Sequence, residues 1–286
     1  MYYHSARFAG SRQSTALTLD AVRAIAPSAF AVQPHESRSA RYTYIPTSDV
    51  IAGLMREGFQ PFKASQGGSR IAGKREFTKH MIRFRHATAL DVKIGDSIPE
   101  VVLINSHDGT SAYKLIAGVF RLVCSNGLVV AESTVGSLNI PHKGDVISQV
   151  IEGSFHVIED SRKAIETTDE WSRLALTTGE QEIFAEAAHT IRFADAEGQV
   201  DTPIQPRQLL TPRRAADTDN SLWHTFNRVQ ENALRGGLSA RLPRQTGQYR
   251  GRRVTTREIN GIDADVKLNR ALWTLAERMA ELKAAA

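Results

Sequence analysis

The chain has 286 residues, 41% of them apolar, one cysteine and a formal net charge of +5, enough to support one large domain or two modest ones. The lone Cys124 excludes a disulfide scaffold and a cysteine-built zinc site, and in its apolar surroundings it reads as a buried, inert thiol. No apolar run approaches bilayer length and the N-terminus MYYHSARFAG has no signal-peptide core, so the expected setting is cytoplasmic, without a membrane partner.

The charge is uneven along the chain. Residues 143–200 carry five basic against twelve acidic side chains, and this acidic middle separates two basic regions. Lys63 to Arg85 holds seven basic residues against Glu76 alone, and Arg235 to Arg257 holds seven arginines and no acid. Clusters of this kind are the usual footprint of a polyanion partner.

In chain order, Thr18-Leu19-Asp20 starts a short helix that Pro27 ends. Arg41 to Ile45 reads as a strand stopped by Pro46. Thr47 and Ser48 are good N-caps for a helix through Glu57, with Gly58 as its stop. Phe59 to Ser65 reads as a strand, and Gln66 to Arg70 as a flexible connection. His80 to His86 alternates, with Ile82 and Phe84 on one side and Lys79, Arg83 and Arg85 on the other. The expectation is a cationic row on the face opposite the core, and an ordinary solvated strand face is the other reading.

Val101 to Ala131 is the organising stretch. Rich in Val, Ile, Leu and aromatic residues, it is punctuated by Ser106-His107-Asp108-Gly109-Thr110 and Ser125-Asn126-Gly127. It predicts three antiparallel strands, Val101 to Asn105, Ser111 to Cys124 and Leu128 to Ala131, with a bend at Gly118. Such a meander must bury one face. Asp145 then caps a long amphipathic helix, Thr177-Thr178-Gly179 breaks it, and Glu180 to Phe193 forms a second; both suit that buried face.

Three prolines and few apolar residues mark 195–220 as a loop or linker. Ser221 to Leu234 is helical with Gly236-Gly237 as its stop, and Asp263 caps a last helix to Lys283. The fold class is therefore α+β: a twisted antiparallel meander packed by long helices, with a C-terminal helical portion. The expected division is a core domain at 1–194, a linker at 195–220, and a helical region at 221–286 carrying a basic loop at 235–257.

Signals for catalysis are poor: no Walker loop, dinucleotide fingerprint, HExxH or nucleophile elbow is present. His107 and Asp108 adjoin at a hairpin tip, where turn formation accounts for them, since Asp-Gly is a preferred turn pair. His80, His142 and His189 form no ligand spacing. No cofactor or metal is expected, and an enzyme ranks last.

The arginine window is the stronger signal. Guanidiniums pair bidentately with phosphate and stack on bases, and Tyr249 among them offers a stacking surface. The expected nucleic-acid-binding residues are Lys79, Arg83, Arg85, Arg241, Arg244, Tyr249, Arg250, Arg252 and Arg253, with the window mobile until a polyanion orders it. A patch for an acidic protein surface is the alternative.

The segments APSAFAVQPHESRSARYTYIPTSDVI, HMIRFRH, VVLINSHDGTSAYKL, FRLVCSNGLVV, LWHTFNRVQENALRGG and LNRALWTLAERM, spread from Ala26 to Met279, resemble the phage/plasmid-like proteins of prophages, plasmids and integrative elements. That resemblance implies mobile-element DNA as the setting and assigns no reaction. The order of helix, strand, meander and long helix is also similar to ring-forming single-strand-annealing recombinases, which implies a basic groove around an oligomer. The expected function is non-catalytic nucleic-acid binding, foremost binding or annealing of single-stranded DNA by a homo-oligomer. The alternative is an interaction or regulatory protein of a mobile element.

Overall fold

A computed structural model describes residues 15–37, 44–71, 73–87, 97–121, 127–129, 137–242 and 252–285. Its centre is an antiparallel sheet in which β1 (Phe59–Gln66), β2 (His80–His86), β3 (Ser97–Asn105), β4 (Tyr113–Arg121) and β5 (Gly127–Val129) follow one another in order. The class is α+β, as the sequence predicts. A sixth strand, β6 (Ser137–Ile140), pairs with the first half of β4, beside the stretch that β5 occupies. The short SLNI segment lacks the length and alternation that reveal a strand in the sequence, and only pairing with β4 defines it. Cys124 and residues 41–43 lie outside the described residues, while Tyr44 and Ile45 are irregular.

Alternation assigns the sheet's faces. Ile82 and Phe84 on β2, Val101 and Leu103 on β3, and Leu115, Ala117 and Val119 on β4 are buried in the main core. Helix α3 (Val146–Arg173) lies over this face, and its N-cap Asp145 accepts a hydrogen bond from Ser148 N at 3.1 Å. Gly153 is where that helix comes closest: a Cβ there would stand 2.9 Å from side-chain carbons of Leu115 and Leu138. Helices α1 (Leu19–Ile25) and α2 (Thr47–Arg56) close the β1 end.

Beyond α3 lie α4 (Thr178–Phe193), α5 (Leu222–Arg235) and α6 (Ile262–Ala285). Thr177 and Glu180 cap α4 with a reciprocal pair of side-chain bonds. The aromatic rings of Trp171, Phe226 and Trp273 join α3, α5 and α6, with the two indoles 4.6 Å apart. Helix α5 is buried on nearly every side although half its residues are polar. Its polar side chains are engaged, although Arg228 Nε is buried without a hydrogen-bond partner. Arg228 donates to the carbonyls of Asp217 and Asp219, Asn232 to those of Leu209 and Thr211, and Gln230 to Asn269, while Glu231 holds Arg214. The stretch 195–220, expected to be a loop or linker, is irregular apart from two short 3-10 turns. It is fastened to α5 through those carbonyls, with Ile204 and Leu209 buried beneath it.

Candidate nucleic-acid interface

The β2 arginines point away from the main core, as alternation requires, yet they are not exposed. Arg83 and Arg85 retain 1% and 2% of their accessible surface. Both donate to one buried carboxylate, Arg83 Nε to Glu100 Oε2 at 2.6 Å and Arg85 Nε to Glu100 Oε1 at 2.8 Å. The Arg85 guanidinium also lies over the rings of Phe62 and Phe120, 4.0 and 3.8 Å from their centroids. Burial pushes the Arg85 pKa down, and Glu100 opposes that shift.

This corrects the expected exposed cationic row. Alternation tells which face a side chain takes, but not whether that face is covered. Here the second face has its own apolar cluster of Met81, Val102, Ile104, Ile116 and Ile262, with Val266 of α6 packed on it. Lys79 does reach the surface, where its ammonium lies 2.7 Å from both carboxylate oxygens of Asp263 at the start of α6.

The arginine window has a different fate. Arg235 pairs with Glu231 one helical turn back, at 3.1 Å. The base of the window is an antiparallel ribbon of β7 (Ser239–Arg241) and β8 (Arg253–Thr255), in register Ser239 with Thr255 and Arg241 with Arg253. Leu242 N donates to Arg252 O at 2.9 Å and extends the ladder. Arg241, Arg252 and Arg253 are all exposed, and among the described residues none has an acidic partner. The nearest polar contact is Arg253 Nη2 to Ser239 Oγ at 3.1 Å. Arg244, Tyr249 and Arg250 lie outside the described residues.

The ribbon is tied firmly to the helical half. Gly236, φ +62°, ends α5 where a Cβ would stand 2.6 Å from the Arg257 carbonyl carbon, so only glycine fits. Ile259 N then donates to Leu234 O at 2.8 Å. Cations gather on the free carbonyls at this helix end: Arg192 Nε donates to Ala233 O at 2.9 Å and Arg213 Nη2 to Gly236 O.

A second polar cluster was not visible in the sequence. Sheet pairing sets His80 beside Asn105, and the turn after β3 and the segment after β6 bring in His107 and His142. The Thr47 hydroxyl lies at their centre, 2.9 Å from His80 Nε2, 3.1 Å from His107 Nε2 and 3.0 Å from Asn105 Nδ2. Thr47 is thus a buried hub and not the N-cap of α2, a place that Pro46 takes.

One proton arrangement satisfies the bonds at Thr47 and leaves His107 Nδ1 buried without a hydrogen-bond partner. Thr47 donates to His80 Nε2 and accepts from Asn105 Nδ2 and His107 Nε2, which exhausts a hydroxyl. His80 Nδ1 faces Thr78 O at 3.3 Å, and His142 Nε2 donates to Asn105 Oδ1 at 3.1 Å. The imidazoles of His80 and His107 are then neutral. Burial pushes His80 down to about 3 and His107 to about 4, each reinforced by a neighbouring histidine.

Thr47, His80 and His107 are fully enclosed, so a substrate has no access to them. The adjoining Asp108 organises its own turn, accepting from Thr110 N at 3.0 Å and Thr110 Oγ1 at 2.6 Å. Burial alone would raise the Asp108 pKa, but these bonds and Lys74 hold it below the usual value. Among the described residues no group of three or more His, Cys, Asp or Glu side chains could hold a metal ion, and no helix is long and apolar enough to cross a membrane.

Residues 34–273 match the family described as Domain of unknown function (DUF932). The chain belongs to the DUF932 family. Two relatives from Escherichia coli (strain K12) extend the likeness over nearly the whole length. UPF0380 protein YafZ is 47% identical over 268 residues, covering 94% of this chain and 93% of its own. UPF0380 protein YfjQ is 46% identical over the same length and the same shares. No solved structure matches this DUF932 chain.

Proposed function

We propose that this DUF932 protein binds single-stranded nucleic acid, foremost DNA, without catalysis and as a homo-oligomer in the cytoplasm. The observation that carries this reading is the β7–β8 ribbon. Like charges placed directly opposite on an antiparallel pair repel each other, and Arg241 faces Arg253 with Arg252 adjacent, none of them ion-paired among the described residues. By contrast, Arg83, Arg85, Arg214 and Arg235 pair with carboxylates, and Arg192, Arg213 and Arg228 donate to carbonyls. Fixed cations left without a counterion are what a phosphate chain neutralises, with release of its condensed ions. The resemblance to phage- and plasmid-borne proteins supports a role in mobile-element DNA, and annealing during recombination is the activity that fits a basic oligomer.

The test is the affinity for a fluorescein-labelled oligothymidylate, followed by anisotropy at increasing salt. For Arg241→Gln, Arg252→Gln and Arg253→Gln combined, the slope of log K against log salt should fall by roughly 2, at about 0.7 per phosphate contact. Unrelated sequences should be affected alike, because phosphate contacts carry no base information. Electron micrographs with and without the oligonucleotide should show rings or filaments. Absence of binding by the wild-type protein would overturn the reading and favour an acidic protein surface as the partner.

A further inference from the structure

We propose that a groove between the sheet's second face and the start of α6 holds one nucleotide unit of the bound strand. This inference rests on the nucleic-acid reading above and locates a second contact, which the sequence did not indicate. The groove has a volume of about 310 Å³, at the low end of the roughly 300–1,000 Å³ typical of small-ligand sites.

Its construction follows from strand register and helix spacing. Ile104, Lys114 and Asn139 form one row across β3, β4 and β6, and Ile116 lies in the next row opposite Ser137. Across from them α6 presents Asp263, Val266, Lys267 and Arg270, spaced i, i+3, i+4 and i+7 along one helix face. The floor is therefore aliphatic, from Ile104, Ile116 and Val266, and the walls are cationic, from Lys114, Lys267 and Arg270.

Lys114 and Lys267 are exposed, and among the described residues neither forms an ion pair. Asp263, the one acid among the groove's described lining residues, is engaged by Lys79 through both oxygens, so it offsets little of the positive field. Ile104 and Ile116 are each 3% exposed, so the half-buried Val266 offers the apolar contact for a base, the lysines accept phosphate, and the Asn139 amide can bond a base edge or sugar.

Position links the groove to the ribbon. Thr255 ends β8 and Ile262 begins α6, so the intervening backbone reaches at most about 25 Å. A short single strand spans that distance, and one polyanion can lie on both sites.

The experiment compares the oligothymidylate affinity of wild type, Lys114→Ala with Lys267→Ala, and Asp263→Asn. Losing both lysines should weaken binding at least tenfold at low salt and reduce the salt slope by roughly 1.4. Asp263→Asn removes that acid and releases Lys79, so affinity should rise several-fold. A gain cannot come from misfolding, which keeps the test decisive if the double variant proves unstable. A strand carrying 4-thiothymidine should crosslink on irradiation to the peptides containing Ile116 or Val266.

If the ribbon variant is impaired while both groove variants match wild type, the groove is overturned and the nucleic-acid reading stands. If wild type binds no strand, both fall. Loss of polyglutamate binding by the groove variants, with strand binding unchanged, would overturn the groove as a nucleotide site and assign it to an acidic peptide.

Discussion

Two sets of arginines in this chain have the same chemistry and opposite fates. Arg83 and Arg85 converge on Glu100 inside the second face of the sheet, whereas Arg241, Arg252 and Arg253 stand exposed at a two-stranded ribbon, with no acidic partner among the described residues. The first set satisfies its charge within the fold. The second leaves its charge for something outside. Local density of arginine does not separate them, and the carboxylate within reach does.

The largest expected effect tests the buried set. Glu100→Gln would remove the carboxylate to which both enclosed guanidiniums donate, and loss of one member of a buried pair costs about 3–5 kcal/mol. Urea denaturation should show that loss, and a midpoint near wild type would mean that the second face is open to water. Replacing Arg83 and Arg85 with alanine should also destabilise strongly, because Glu100 is then the buried orphan.

The histidine cluster extends the comparison to the other face of the sheet, where polar groups are likewise enclosed. His80 and His107 have folded pKa values of about 3 and about 4, below the unfolded value of about 6.5. Below that unfolded value the unfolded chain takes up protons that the folded one refuses. Stability from this source is therefore whole above about pH 6.5 and falls as pH drops toward 4. Between pH 7 and pH 5 the two together should cost about 3–4 kcal/mol. Denaturation midpoints across that range give the measurement, and His107→Gln should remove about half of the slope. A flat profile would show that the imidazoles are charged or wet.

The smallest stability effect belongs to the ribbon. Exposed substitutions away from packed features stay within about 0.5 kcal/mol, and removing the Arg241–Arg253 repulsion should tip the sign toward stabilisation. Thermal melting of the three-glutamine variant should match wild type or exceed it slightly. A substantial loss would mean that these arginines hold the fold, as Arg83 and Arg85 do, and would erase the distinction.

By itself the sequence determined several patterns with a local cause. The β2 boundaries, the Asp145 cap and the Gly236 stop depend on residues within a few positions of one another, where steric and hydrogen-bond preferences act directly; the Thr47 cap was overridden because that hydroxyl is drawn into the buried cluster. The antiparallel meander was legible for the same reason, since the turn between β3 and β4 announces itself in an Asp-Gly pair. What the sequence left open is whether a face or a charge has a distant partner. Glu100 reaches Arg85 across 15 positions, Thr47 reaches His107 across 60, and Lys79 reaches Asp263 across 184. Those meetings depend on strand register and on where α6 returns to the sheet. Residues far apart in the chain meet only once the whole core has closed, so the tertiary structure alone decided which cations are spent inside and which remain outside.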